Sequence, residues 1–122
     1  MRRVLLVDDD PNLRESAQDI LEDAGYQVRA AGDLKAARQL LAGEAAHVVI
    51  VDFNLPDGKG AELAQQVRAA DARVKIVLMT GEVPAATGAP TTLFDAVLTK
   101  PVDPAMLLTL LAAFDINANP PA

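Results

Sequence analysis

Polar residues of different chemical kinds follow short apolar runs at four places in this 122-residue chain. Asp8 and Asp9 follow the first run, Asp52 the second, Thr80 the third and Lys100 the last. Carboxylates are ligands of hard cations, whereas an ammonium or a hydroxyl can bind an anion such as phosphate. If the four run ends meet in space, the side chains would form one small site that handles a cation and a phosphate group.

The elements that would position these residues follow an alternating pattern. Short apolar runs between helical patterns are typical of buried parallel strands. Predicted strands cover residues 4–7, 26–30, 47–51, 75–79 and 96–99. Helices are expected after the caps Asp10 and Asp33, over 61–70, and from Asp103 to about Phe114. Strands that alternate with helices imply a parallel sheet, whose carboxyl ends share one edge and bind ligands there.

One stretch does not fit the alternation. Residues 81–94 contain Pro84 and Pro90 besides Gly81 and Gly88, and an interior proline costs a helix about 3 kcal/mol. We therefore expect a loop or one short turn where a helix should lie. Residues 1–114 are predicted to form one domain, and residues 115–122 a polar tail.

Composition narrows the classes of function. The chain has no Cys, which excludes disulfides and thiolate metal sites and favours a cytoplasmic location. A net charge of −6 argues against direct binding of nucleic acid. No apolar run approaches the roughly 20 residues of a membrane span.

Four motifs together carry a resemblance to a known family. They are Val7-Asp8-Asp9-Asp10-Pro11, Val51-Asp52-Phe53-Asn54-Leu55-Pro56-Asp57-Gly58, Met79-Thr80-Gly81 and Leu98-Thr99-Lys100-Pro101. Because these motifs occur in this order and at these spacings, the chain resembles the receiver domains of two-component response regulators over about residues 3–114. The resemblance implies an α/β fold, a flavodoxin-like doubly wound sheet of five parallel strands in the order 2-1-3-4-5. The helix between strands 4 and 5 would be degenerate.

The resemblance also implies roles for the polar residues. Asp52 would accept a phosphoryl group from a histidine kinase or a histidine phosphotransfer protein, with no other enzymatic activity than its own phosphorylation and dephosphorylation. Mg²⁺ would be held directly by Asp9, largely through water by Asp8, and by Asp52 and the backbone carbonyl of Asn54. Lys100 would neutralise the phosphoryl oxygens, and Thr80 would bind one of them after transfer.

Further positions are implied to modulate the reaction. Asn54 and Glu82 would tune dephosphorylation, and Gly81 would leave room for the phosphate. The resemblance makes the Lys100–Pro101 peptide bond cis. The altered surface would then switch the binding of a downstream protein, which the sequence does not identify.

Two features depart from the family pattern. Val97 stands where receivers usually have an aromatic residue, and Phe94 is a candidate substitute for it. Together with the irregular stretch 81–94, this departure falls on the face that most receivers use for dimerisation or output. The chain is interpreted either as a single-domain regulator or as a receiver from a hybrid kinase.

Two other functions use the same residues. A pseudo-receiver would bind its partner without being phosphorylated. A haloacid-dehalogenase-like phosphohydrolase would use Asp8 as the nucleophile and Asp10 as the acid, but Asp52 would then have no role. Its motif should also continue with Thr or Val where this chain has Asn12.

Overall fold

The computed structural model describes residues 2–81 and 93–118, with side chains as far as residue 114. The predicted irregular stretch falls mostly outside these residues, as does Glu82. The described elements are β1 (Arg3–Val7), α1 (Pro11–Asp23), β2 (Gln27–Ala31), α2 (Leu34–Gly43), β3 (Val48–Asp52), β4 (Asn54–Leu55), β5 (Gly58–Lys59), α3 (Gly60–Ala70), β6 (Lys75–Thr80), β7 (Ala96–Thr99) and α4 (Pro104–Ala118).

Five of the strands form one parallel sheet in the order β2-β1-β3-β6-β7. The strands β4 and β5 form a separate antiparallel hairpin, with two residues in each strand. The five sheet strands in chain order therefore confirm the predicted order 2-1-3-4-5. The described residues do not include the connection between β6 and β7, so its predicted degenerate helix stays a prediction.

Apolar residues on the two faces of the sheet build two cores. Because strand side chains alternate between faces, Leu5 and Val49 pack against α2 and α3, whereas Leu6 and Ile50 pack against α1 and α4. All four of these side chains are fully buried. Both faces of the sheet are covered, which leaves the carboxyl edge of the strands as the place for polar chemistry.

The predicted caps of α1 and α2 are confirmed, whereas the end of α4 differs from the prediction. Asp10 caps α1 by accepting a hydrogen bond from the backbone N–H of Asn12, and Asp33 caps α2 through the N–H of Ala36. In contrast, α4 continues to Ala118, four residues beyond the predicted end at Phe114. Between Pro104 and Pro120 the sequence contains no glycine or proline, so nothing local stops the helix earlier. The helix therefore crosses the boundary predicted between domain and tail.

Within the residues that the structure describes, no helix is both long and apolar enough to cross a membrane.

Candidate functional site

The carboxyl ends of β3, β6 and β7 lie in register at one edge of the sheet. Asp52 pairs with Met79 across β3 and β6, and Thr80 pairs with Thr99 across β6 and β7. Beyond the last rung, the N–H of Lys100 donates to the carbonyl of Thr80 at 2.7 Å. Sheet pairing thus fixes Asp52, Thr80 and Lys100 side by side, as the sequence predicts.

Three carboxylates converge at this edge. Asp8, Asp9 and Asp52 each offer one oxygen, and these oxygens lie within 4.8 Å of one another. Asp8 is fully buried and Asp52 is 7% exposed, whereas Asp9 is open to solvent. Among the described residues, the buried polar side chains are those of Asp8, Asp52 and Thr80. The polar groups that this fold buries are therefore gathered in one place.

Lys100 joins two of the three acids. Its Nζ lies 2.9 Å from Oδ2 of Asp52 and 2.9 Å from Oδ2 of Asp8. The contact with Asp52 is a hydrogen bond, whereas the buried Oδ2 of Asp8 makes only the ion pair within the described part of the chain. The peptide bond that follows, Lys100–Pro101, is cis, in agreement with the resemblance.

Burial and neighbouring charges have opposite effects on the pKa values of Asp52 and Lys100. Burial raises the pKa of Asp52, and the hydrogen bond and positive charge of Lys100 only partly offset that effect. At Lys100, burial alone would lower the pKa, but the contacts with Asp8 and Asp52 outweigh it and raise the pKa above its ordinary value. The ammonium therefore keeps its charge at neutral pH.

The acids of the β1–α1 loop differ in what they contact. Oδ1 of Asp8 accepts a hydrogen bond from the N–H of Asp10 at 2.8 Å, and Arg14 donates to the carbonyl of Asp8 at 2.7 Å. The Asp10 carboxylate instead caps α1, as predicted, and lies outside the carboxylate cluster. Asp10 therefore has the position of a helix cap and not that of a catalytic acid.

The loop after Asp52 is held by several contacts. The backbone N–H of Asn54 acts to lower the pKa of Asp52 against the effect of burial, and the side-chain oxygen of Asn54 accepts a hydrogen bond from Nζ of Lys59. The carboxylate of Asp57 accepts from the first backbone N–H groups of α2, those of Leu34 and Lys35. Asp57 thereby connects this loop to a helix 22 residues away in sequence.

Other predicted residues lie close to the cluster or outside the description. Thr80 is buried at the end of β6. Gly81 follows it, and among the described residues a Cβ added there would meet no atom within 4 Å. Val97 is partly buried, and Phe94 is buried in the core on the α2–α3 side. Glu82 lies outside the described residues.

The donor set fits a hard divalent cation. All three side-chain ligands are carboxylates, and only one ammonium faces them among the described contacts, so negative charge is left in excess. At such short separations, carboxylates repel one another by a few kcal/mol per pair at moderate dielectric. A Mg²⁺ ion, which prefers oxygen ligands, would relieve this repulsion.

Arg14 and Lys59 are the site neighbours that sequence reasoning missed. Arg14 lies one turn beyond the cap Asp10, so the helix periodicity could have placed it near the loop. Lys59 reaches Asn54 only because β4 and β5 pair, and two-residue strands leave no periodic signal in a sequence.

Comparison with known proteins supports a common origin for this arrangement. The family described as response regulator receiver domain matches residues 4–112. The response regulator protein PilR of Pseudomonas aeruginosa is 33% identical, with 99% of this chain and 28% of PilR covered. The chain thus spans less than a third of the length of that relative.

Solved structures show the same architecture. A CheY-like receiver domain protein from Methanospirillum hungatei JF-1 superposes with a TM-score of 0.89 at 28% identity, covering 97% of this chain and 96% of that one. TrrA from Thermotoga maritima, solved in complex with Mg²⁺-BeF, gives a TM-score of 0.82 at 26% identity, with 93% and 98% covered.

Proposed function

The chain belongs to the family of response regulator receiver domains, and from this premise we propose that Asp52 accepts a phosphoryl group in a two-component phosphorelay. The observation that carries the proposal is the bridge from Lys100 Nζ to the buried carboxylates of Asp52 and Asp8, 2.9 Å from each. A buried carboxylate beside a fixed ammonium at a strand end is arranged to react with a phosphoryl group and to stabilise its charge.

The proposed step is an in-line transfer from phosphohistidine. A carboxylate oxygen of Asp52 forms a bond to phosphorus, the P–N bond breaks, and its electron pair stays on the imidazole of the donor. The product is an acyl phosphate. Lys100 lies within hydrogen-bond distance of the same carboxylate, so it can stabilise the charge on the phosphoryl oxygens throughout.

We propose Mg²⁺ as the cofactor, held by Asp9, Asp8 and Asp52 and by the backbone carbonyl of Asn54. When bound, the ion would neutralise the excess negative charge of the carboxylates and of the incoming phosphoryl group. Support comes from the all-oxygen donor set and from the Mg²⁺-BeF complex of TrrA.

Thr80 is proposed to report the modification. Its backbone carbonyl accepts from Lys100, so the residues that would contact the phosphoryl group are linked through the β6–β7 pairing. A hydroxyl that turns toward the new phosphoryl oxygens would change the packing near Val97 and alter a partner-binding surface.

Two kinds of partner follow from this proposal. The phosphoryl donor would be a histidine kinase or a histidine phosphotransfer protein. The second partner would be the downstream protein that binds the altered surface.

Incubation with acetyl phosphate and Mg²⁺, followed by intact-mass measurement, tests this function. We expect one phosphate adduct per chain, absent in Asp52→Asn and without metal. No adduct under any condition would favour the pseudo-receiver. Steady turnover of a generic phosphate monoester would instead support the phosphohydrolase.

The decay rate of the phosphate adduct tests the roles proposed for Asn54 and Glu82. Asn54→Ala and Glu82→Ala are expected to change the decay rate of the adduct without abolishing its formation. Unchanged decay in both variants would remove these residues from the proposal.

A further inference from the structure

Asn54 presents two different groups to its surroundings. Its backbone N–H lies close enough to the Asp52 carboxylate to lower the pKa of that group, which places the residue beside the proposed phosphorylation site. Its side chain is exposed, and Oδ1 accepts a hydrogen bond of 2.5 Å from Nζ of Lys59. The amide is therefore held with its acceptor oxygen directed at Lys59.

Lys59 is itself held in place. It pairs with Asn54 across the β4–β5 hairpin, and its Nζ lies 5.3 Å from the centroid of the Phe53 ring. Its backbone N–H donates to Glu62 at 3.3 Å, and the next N–H, that of Gly60, donates to the carbonyl of Phe53 at 2.8 Å. The hairpin thus fixes both partners of the Lys59–Asn54 hydrogen bond.

We propose that Lys59 is a positioning residue that engages the amide oxygen of Asn54 and thereby lengthens the lifetime of the acyl phosphate on Asp52. This inference rests on the proposed function of Asp52. It concerns the rate of hydrolysis and not the ability of the site to be phosphorylated.

The chemistry of hydrolysis explains the direction of the effect. A water oxygen forms a bond to phosphorus, the bond between phosphorus and the Asp52 oxygen breaks, and the electron pair stays on the carboxylate. The water gives up a proton to solvent. An amide oxygen beside the phosphoryl group can accept a hydrogen bond from this water and orient it. While Lys59 holds that oxygen, one of its two lone pairs is occupied and the amide is kept in its orientation toward Lys59, which makes it less able to orient the water.

Lys59→Met tests the inference because it keeps much of the aliphatic length and removes the donor. After loading with acetyl phosphate and Mg²⁺, donor removal and intact-mass measurement over time, we expect the adduct to decay about two- to tenfold faster, the range of one hydrogen bond. Lys59→Arg, which can still donate, should restore most of the lifetime. Lys35→Met removes a positive charge from α2 instead and should leave the decay unchanged.

A double-mutant comparison separates positioning from a general loosening of the loop. In an Asn54→Ala background, Lys59→Met should no longer change the decay rate, because the amide through which it acts is absent. An equal acceleration in both backgrounds would overturn the inference, and so would unchanged decay in Lys59→Met. A wild-type chain that forms no adduct would contradict the proposed function itself, which makes the two failures distinguishable.

Discussion

Lys100 illustrates how much of the site depends on a single side chain. It contacts the buried carboxylates of Asp8 and Asp52 at the same distance, and those contacts raise its pKa although burial opposes them. A lysine in this position compensates buried negative charge in the unmodified protein and would compensate phosphoryl charge after transfer.

Replacement of Lys100 by Met should therefore impair both stability and reaction. Two buried carboxylates would lose their cation, and we expect the free energy of unfolding to fall by about 1–3 kcal/mol. The rate of loading by acetyl phosphate should fall about 100-fold, which is the typical cost of removing a group that stabilises developing charge. Urea unfolding and the time course of adduct formation measure the two effects.

Lys35→Met, an exposed lysine of α2, is the matched control and should change neither quantity appreciably. Loading by Lys100→Met at the wild-type rate would contradict the role proposed for the ammonium.

At the scale of elements, Gly60 shows how closely α3 approaches β3. A Cβ added to Gly60 would collide with the carbonyl oxygen of Asp52 and come within 3.0 Å of the Val51 side chain. Since the first obstacle is backbone, the end of β3 would have to move, and Asp52 with it.

Gly60→Ala is expected to lower the free energy of unfolding by about 1–3 kcal/mol and to slow the loading of Asp52. Chemical unfolding and adduct formation measure these changes. Gly43→Ala, at the end of α2, is the comparison, because a Cβ there would meet no atom of the described residues within 4 Å. If the two variants have the same free energy of unfolding and the same loading rate, the close approach at Gly60 affects neither stability nor reaction.

The hairpin β4–β5 and the helix α2 are connected through Asp57. Hydrogen bonds from the N–H groups of Leu34 and Lys35, the first being the larger influence, lower the pKa of Asp57 below its usual 3.8. A carboxyl with a lowered pKa in the folded state contributes stability above its unfolded pKa. That contribution is lost as pH falls through the folded value.

Asp57→Asn should lower the unfolding temperature by a few degrees at pH 7, and the gap to wild type should narrow as pH falls below about 4. Thermal unfolding from pH 7 to pH 3 measures the gap. Asp19→Asn, an exposed carboxylate on α1, serves as the control and should show a smaller difference at pH 7. A gap for Asp57→Asn that stays constant with pH would rule out the charge as its cause.

For the whole molecule, the sequence predicts what depends on chain order and periodicity. The five sheet strands and the meeting of Asp8, Asp9 and Asp52 follow from the geometry of a parallel sheet. The caps Asp10 and Asp33 follow from the preference of Asp for accepting hydrogen bonds at helix starts. Strand ends in such a sheet share one edge whatever the details of packing.

Contacts that depend on tertiary placement were not predictable in this way. The β4–β5 hairpin is too short to have a period, so the pairing of Asn54 with Lys59 has no periodic signal in the sequence. Asp57 reaches α2 across more than 20 residues, and only the folded chain brings the two together. The helix α4 ends at Ala118 and not at about Phe114 as predicted, because the segment after Phe114 contains no helix breaker before Pro120.

The central claim is that Asp52, and not another carboxylate of the cluster, carries the phosphoryl group. Borohydride reduces an acyl phosphate to an alcohol, which converts a phosphorylated aspartate into homoserine. After loading with acetyl phosphate and Mg²⁺, borohydride treatment and peptide mass spectrometry should find homoserine at position 52. Homoserine at position 8 or 9, or an unmodified Asp52 in a chain that carries the adduct, would contradict the claim.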